Sequence, residues 1–129
     1  MPEIVVLDAS ALVEALIGTQ LGLSVRERLR GCELHAPAHV DAETLSALRR
    51  LHRAGELDAD TVATALGELA VAPISRQPLA ALLAGAWAAR EQLRLVDALY
   101  VELASTLQAT LLTTDTRLAR ARTGIELVS

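Results

Sequence analysis

The chain has 129 residues, of which 12 are basic and 16 acidic. Every base is an arginine, which excludes phosphate loops built on a lysine and Schiff-base chemistry built on an amine. Phe is absent and Trp87 and Tyr100 stand alone, so rows of base-stacking aromatics are excluded, and a net charge of −4 rules out a strong overall basic field.

Glu3 to Asp8 is a short β-branched run ending in an acid, the pattern of a strand buried on both faces of a parallel sheet. A helix over Ala9 to Ile17 follows, with Gly18 as its stop. Leu21, Val25 and Leu29 repeat at helical spacing before Gly31. Glu33 to Ala36 is a weaker second strand. From Val40 to Ala54, the residues Val40, Leu45, Leu48 and Leu51 form one apolar stripe of an amphipathic helix, and Asp58 or Asp60 caps a helix through Val62, Leu66 and Leu69. A brief strand is expected at Ala72 to Ser75. Pro78 then opens a long Ala-rich helix to about Leu93. Asp97 to Gln108 is a helix, Thr110 to Thr113 a strand, Thr116 to Arg122 a short helix and Ile125 to Val128 a last strand. Strands alternate with helices, so the class is α/β with a mostly parallel sheet of four or five strands in a single domain, 1–129. A single Cys32 leaves no internal disulfide and no Cys-rich zinc site. No uncharged stretch reaches the roughly 18 residues of a membrane span, and a soluble cytoplasmic protein without membrane contact is the expectation.

Ligands of an open parallel sheet bind beyond the carboxyl ends of its strands. Four acids are predicted there: Asp8 after the first strand, Glu43 in the first turns of the helix after the second, Asp97 at a helix start and Asp115 after Thr110 to Thr113. Singly, Asp8, Asp97 and Asp115 read equally as helix caps and Glu43 as a solvated helix residue. Jointly they point into one pocket. Two unit charges about 4 Å apart repel by roughly 4 kcal/mol at an effective dielectric near 20, so a cation is required. With no lysine and no arginine expected at the centre, an oxygen-ligated Mg²⁺ or Mn²⁺ is the economical answer.

Val5-Val6-Leu7-Asp8-Ala9-Ser10, Ala36-Pro37 followed by Glu43, Val96-Asp97-Ala98-Leu99-Tyr100-Val101 and Leu111 to Leu118 together resemble the PIN domain in its VapC toxin form, over essentially the whole chain. The resemblance implies a three-layer α/β/α sandwich, a Mg²⁺- or Mn²⁺-dependent endoribonuclease acting on RNA, and a VapB-type antitoxin. It also implies that Asp8, Glu43, Asp97 and Asp115 form the acidic quartet, with Asp8 and Asp97 as the main metal ligands. Glu43 and Asp115 then act through water, as a base or at a second metal. Ser10 and Thr113 support the acids from behind, and Ser46 stands where relatives often carry Asn. Metal-activated water would attack in line, leaving a 3′-hydroxyl and a 5′-phosphate.

The remaining acids equal the arginines in number, so RNA must be attracted locally. Arg49, Arg50 and Arg53, with Arg117, Arg120 and Arg122, are the expected phosphate contacts, each of which reads alone as an ordinary solvated residue. His35, His39 and His52 read as loop or surface histidines, and Trp87 as core or interface. Mean hydropathy of +0.36 predicts exposed apolar surface and hence partners. A homodimer is expected, with Leu21, Val25, Val62 and Leu66 at a twofold or antitoxin interface or else lining the chain's own core. Receiver domains and haloacid-dehalogenase-like phosphatases also place Asp after a first strand, but both use a lysine that is missing here. The alternatives left are a PIN-like module that only binds a partner, and a solitary nuclease without an antitoxin.

Overall fold

Short aliphatic runs supply the sheet. In a computed structural model describing residues 1–129, β1 (Ile4–Leu7), β2 (Glu33–Pro37), β3 (Ile74–Gln77), β4 (Thr110–Thr113) and β5 (Ile125–Leu127) pair in the order β3-β2-β1-β4-β5, every pair parallel. Val5, Val6, Leu7, Leu111 and Leu112 are almost completely buried, because helices cover both faces of a parallel sheet. The helices are α1 (Ala9–Ile17), α2 (Gln20–Leu29), α3 (Val40–Arg53), α4 (Ala59–Val71), α5 (Leu83–Ala88), α6 (Leu95–Leu107) and α7 (Thr116–Ala121). α1 to α4 pack on one another and α5 packs on α6, enclosing the sheet in three layers.

The expected stops and caps are in place. Gly18 adopts φ 72° after α1, a left-handed turn that a Cβ disfavours. Asp58 caps α4 by accepting from the Thr61 N–H at 2.7 Å. Gly22 lies so close to the Glu14 carbonyl that a Cβ would collide with it, and this lets α2 fold back tightly on α1.

Three expectations are corrected. The third strand lies two residues later, at Ile74–Gln77, where Arg76 is held by the carbonyls of Leu69 and Ile74 and by Asp41. The long helix after Pro78 is broken: a 3₁₀ turn over Ala80–Leu82 leads into the short α5, and turns over 89–94 precede α6. Ala-rich composition favours helix throughout that run, but buried Leu93 anchors the turn that brings α6 across the sheet. On α3 the buried stripe is Val40, Thr44 and Leu48, while Leu45 is exposed. Thr44 takes the inward place one residue before the leucine, leaving its hydroxyl without a partner.

Of the four apolar residues expected at an interface or in the chain's own core, Leu21, Val62 and Leu66 are half-buried and Val25 is fully buried. Val25 is completely buried in the main core, and Val62 and Leu66 pack against a smaller cluster of Val13, Leu48 and Ala65. Trp87 is 59% exposed, with the Arg90 guanidinium 4.5 Å over its ring. No helix is long and apolar enough to cross a membrane.

Candidate active site

The strand order reverses at β1, which has β2 on one side and β4 on the other. Such a reversal leaves a crevice beyond the carboxyl ends of the strands. There a cleft of about 390 Å³ is lined by Asp8, Glu43, Asp97 and Asp115, together with Ser10, Ser46, Arg50, Arg94 and Tyr100. All four predicted acids therefore share one cavity wall although they come from four separated segments.

Asp8 sits at the centre and is nearly buried. Its Oδ1 accepts from the Ser10 hydroxyl at 2.8 Å and the Ala11 N–H at 3.0 Å, and its Oδ2 accepts from the Thr113 hydroxyl at 2.6 Å. Asp8 is thus both the cap of α1, through Oδ1, and a residue of the cleft wall, with Oδ2 held by Thr113. Ser10 and Thr113 lie 3.1 Å apart, Thr114 donates its N–H to Ser10, and Asp115 donates its own to Thr113. These bonds join the ends of β1 and β4. Burial pushes the Asp8 carboxyl up to about 6 against the pull of its hydrogen bonds, and the charge of Asp115 adds to the rise.

Glu43 is placed by residues that the sequence did not single out. Tyr100, on α6, donates to Glu43 Oε1 at 2.6 Å, and His39 Nε2 stands 3.4 Å from the same oxygen and 3.1 Å from the Val96 carbonyl. The His39 and Tyr100 rings are stacked at a tilt, 4.7 Å apart. His39, in the turn before α3, thus stands behind the Glu43 carboxylate, with Nδ1 buried and unpartnered. Burial and the Glu43 carboxylate push the Tyr100 hydroxyl far above its ordinary range, so it acts as a fixed donor.

The expectation that no arginine enters the centre is wrong. Arg94 Nε lies 3.0 Å from Asp97 Oδ2, and Arg117 reaches Asp97 at 4.0 Å and Asp115 at 3.6 Å. The i,i+3 spacing of Arg94 and Asp97 was the available signal. Asp115 also caps α7, accepting from the Arg117 and Leu118 N–H groups. Ser46 lines the cleft without a hydrogen bond to an acid. Of the other arginines, Arg50 reaches the cleft, whereas Arg49 and Arg53 stand exposed along α3. Arg122 turns elsewhere, lining a depression with Gln108 and Ala109 beside the start of β4.

The donor set fits a hard divalent cation. It is wholly oxygen, and no guanidinium forms an ion pair with Asp8, so the most buried charge of the cleft lacks a positive partner. The four acids do not form a closed cage: no three His, Cys, Asp or Glu side chains converge tightly enough to enclose an ion.

Comparison with known proteins bears on this geometry. The PIN domain family matches residues 5–124. Ribonuclease VapC3 of Mycobacterium tuberculosis is 58% identical over 121 residues, 93% of this chain and 88% of that protein. Ribonuclease VapC12 of the same organism is 38% identical over 118 residues, 91% of each chain. Among solved structures, PAE2754 from Pyrobaculum aerophilum superposes with a TM-score of 0.74 at 23% identity, covering 98% of this chain and 84% of that one.

Proposed function

The chain belongs to the PIN-domain family, in its VapC branch, and on that premise we propose that it is a Mg²⁺- or Mn²⁺-dependent endoribonuclease, the toxin of a toxin–antitoxin pair. The observation that carries the reading is the meeting of Asp8, Glu43, Asp97 and Asp115 in one cleft at the reversal of strand order.

Asp8 and Asp97 would hold the cation, with Asp115 beside them. When bound, it supplies charge for the scissile phosphate and an activated water. The chain's own residues do the rest. Ser10, Ala11 and Thr113 fix the Asp8 carboxylate, so its oxygens need no reorientation when a cation arrives. Tyr100 occupies Glu43 Oε1, which leaves Oε2 to take the proton of the attacking water. Arg50, at the cleft wall, offers a planar pair of donors to a neighbouring phosphate, and Arg49 and Arg53 extend that basic row along α3. Cleavage at the bond to the 3′-oxygen leaves a 3′-hydroxyl and a 5′-phosphate.

The proposal includes a VapB-type antitoxin as inhibitor and a homodimer, the latter through residues other than the buried Val25. A labelled structured RNA incubated with the protein tests the activity: cleavage should stop with EDTA, return with Mn²⁺ and be absent in Asp97→Asn. Cleavage that persists in EDTA would end the metal reading. Light scattering at micromolar concentration checks for twice the 13.7 kDa chain mass, and a small DNA-binding protein encoded in the adjacent upstream frame, sought first and then co-expressed, checks inhibition.

A further inference from the structure

Asp97 is the one acid of the cleft flanked by two guanidinium groups. Arg94, the residue before α6, makes no backbone cap and turns its side chain back over the first helical turn, with Nε 3.0 Å from Asp97 Oδ2 and Nη2 3.5 Å from Oδ1. Arg117 comes from α7 on the other side. The carboxylate between them is only 15% exposed, whereas the Arg94 side chain is 59% exposed. A pair with one solvated partner is weak in water, and it can open without disturbing α6. The Arg94 guanidinium is also drawn toward Asp115 and Glu43, whose charges add to that of Asp97 in holding it protonated.

This arrangement has a chemical consequence. A carboxylate oxygen engaged by a guanidinium is a poor ligand for a divalent cation, so the cation must displace the arginine. A displaced Arg94 remains tethered at the wall of the same cleft, which Arg50 of α3 also lines. Its planar fork then matches a phosphate, the bidentate acceptor that best replaces a lost carboxylate.

We propose that Arg94 is a displaceable counter-ion: it neutralises Asp97 in the ion-free protein and exchanges that carboxylate for an RNA phosphate when a divalent cation takes its place. The inference rests on the nuclease reading of the cleft. It gives Arg94 two opposing effects, weakening cation binding and strengthening RNA binding, and a purely structural arginine would show neither.

The test measures Mn²⁺ alone by titration calorimetry at low ionic strength, then RNA cleavage at saturating Mn²⁺. Arg94→Gln should bind Mn²⁺ roughly two- to fivefold more tightly than the native chain, the factor corresponding to a lost exposed pair, and should show a severalfold higher KM for RNA. Arg94→Lys, which keeps the charge, should retain native Mn²⁺ affinity. Arg30→Gln, which changes net charge equally on a residue paired with Glu27, should move neither quantity. Native protein that neither binds Mn²⁺ nor cleaves RNA would overturn the nuclease reading itself. Native protein that does both, with Arg94→Gln binding Mn²⁺ no more tightly, would overturn the counter-ion alone. Tighter Mn²⁺ binding with unchanged KM would remove the phosphate half of the exchange.

Discussion

The two ends of the sheet handle charge in opposite ways. Near the amino ends of β1 and β5, Arg28 of α2 sits between two acids, 2.8 Å from Glu3 and 2.6 Å from Glu126, and ties three segments together. Its guanidinium pulls the Glu3 carboxyl below its ordinary range. At the carboxyl ends, four acids share a cleft, and the most buried of them, Asp8, has hydrogen bonds but no cation. Satisfied charge at one end holds the fold together. Unsatisfied charge at the other stores a demand for a ligand, and the sign of each pKa shift records which is which.

The strongest way to break this contrast is to remove the buried charge. Asp8→Asn should abolish RNA cleavage, by at least about a hundredfold, while raising the melting temperature at pH 8, because an amide avoids the cost of a buried carboxylate. A variant that loses both activity and stability would mean that Asp8 is merely a structural cap.

Titration separates the two ends next. The folded pKa of Asp8, about 6 against an ordinary 3.8, lies above the unfolded one. Its contribution to stability is therefore full below pH 3.8 and is lost as pH rises through about 6, a change on the order of 3 kcal/mol. Glu3 has the opposite sign: its contribution is present above its unfolded pKa and is lost as pH falls through the lower folded value. Denaturant midpoints of the metal-free protein should fall between about pH 4 and about pH 7 with the slope absent in Asp8→Asn, and Mn²⁺ at a hundred times its Kd should restore about 2.7 kcal/mol at pH 8.

A smaller effect is expected at Glu43. Tyr100→Phe keeps the buried ring and loses the 2.6 Å bond, so kcat should drop about 10- to 100-fold, the range for groups that orient a reacting side chain, with KM for RNA unchanged. Equal losses in kcat and folding stability would reduce Tyr100 to packing. The smallest effect belongs to the amino end: Arg28→Gln should lower the melting temperature by no more than a few degrees, less in high salt, and leave cleavage as it was.

How legible each feature was depended on how locally it was encoded. Asp8 and Asp115 follow buried apolar runs, so residue type and periodicity alone put them at strand ends. The bonds that Asp8 accepts from Ser10 and Ala11 are equally local. Arg94 was readable by its three-residue spacing to Asp97 but was hidden by an expected helix that ran through to Leu93. Tyr100 was not readable as a partner of Glu43, because the phenol lies 57 residues from the glutamate and only the crossing of α6 over β1 and β2 brings them together, whereas the four-residue spacing of His39 and Glu43 was an available local signal. Thr44 misled the assignment of the α3 face, since a polar residue took the buried position and put Leu45 outside. Apolar spacing also cannot tell a helix face that packs on a second chain from one that packs on its own, and of Leu21, Val25, Val62 and Leu66 only Val25 is fully buried in the chain's own core.

The strand order carries a consequence for the moment of synthesis. β1 leaves the ribosome first, yet its second neighbour is β4, more than a hundred residues later in the chain, and the Thr113 hydroxyl that fixes Asp8 arrives only with that strand. Through most of elongation β1 is paired on one side only, and the acids that will meet in the cleft are on separate pieces of chain. Long-range parallel pairing of this kind is completed late. A cleft so ordered cannot close around Asp8 until β4 has been made, because the Thr113 hydroxyl and the Asp115 carboxylate both follow that strand's pairing with β1.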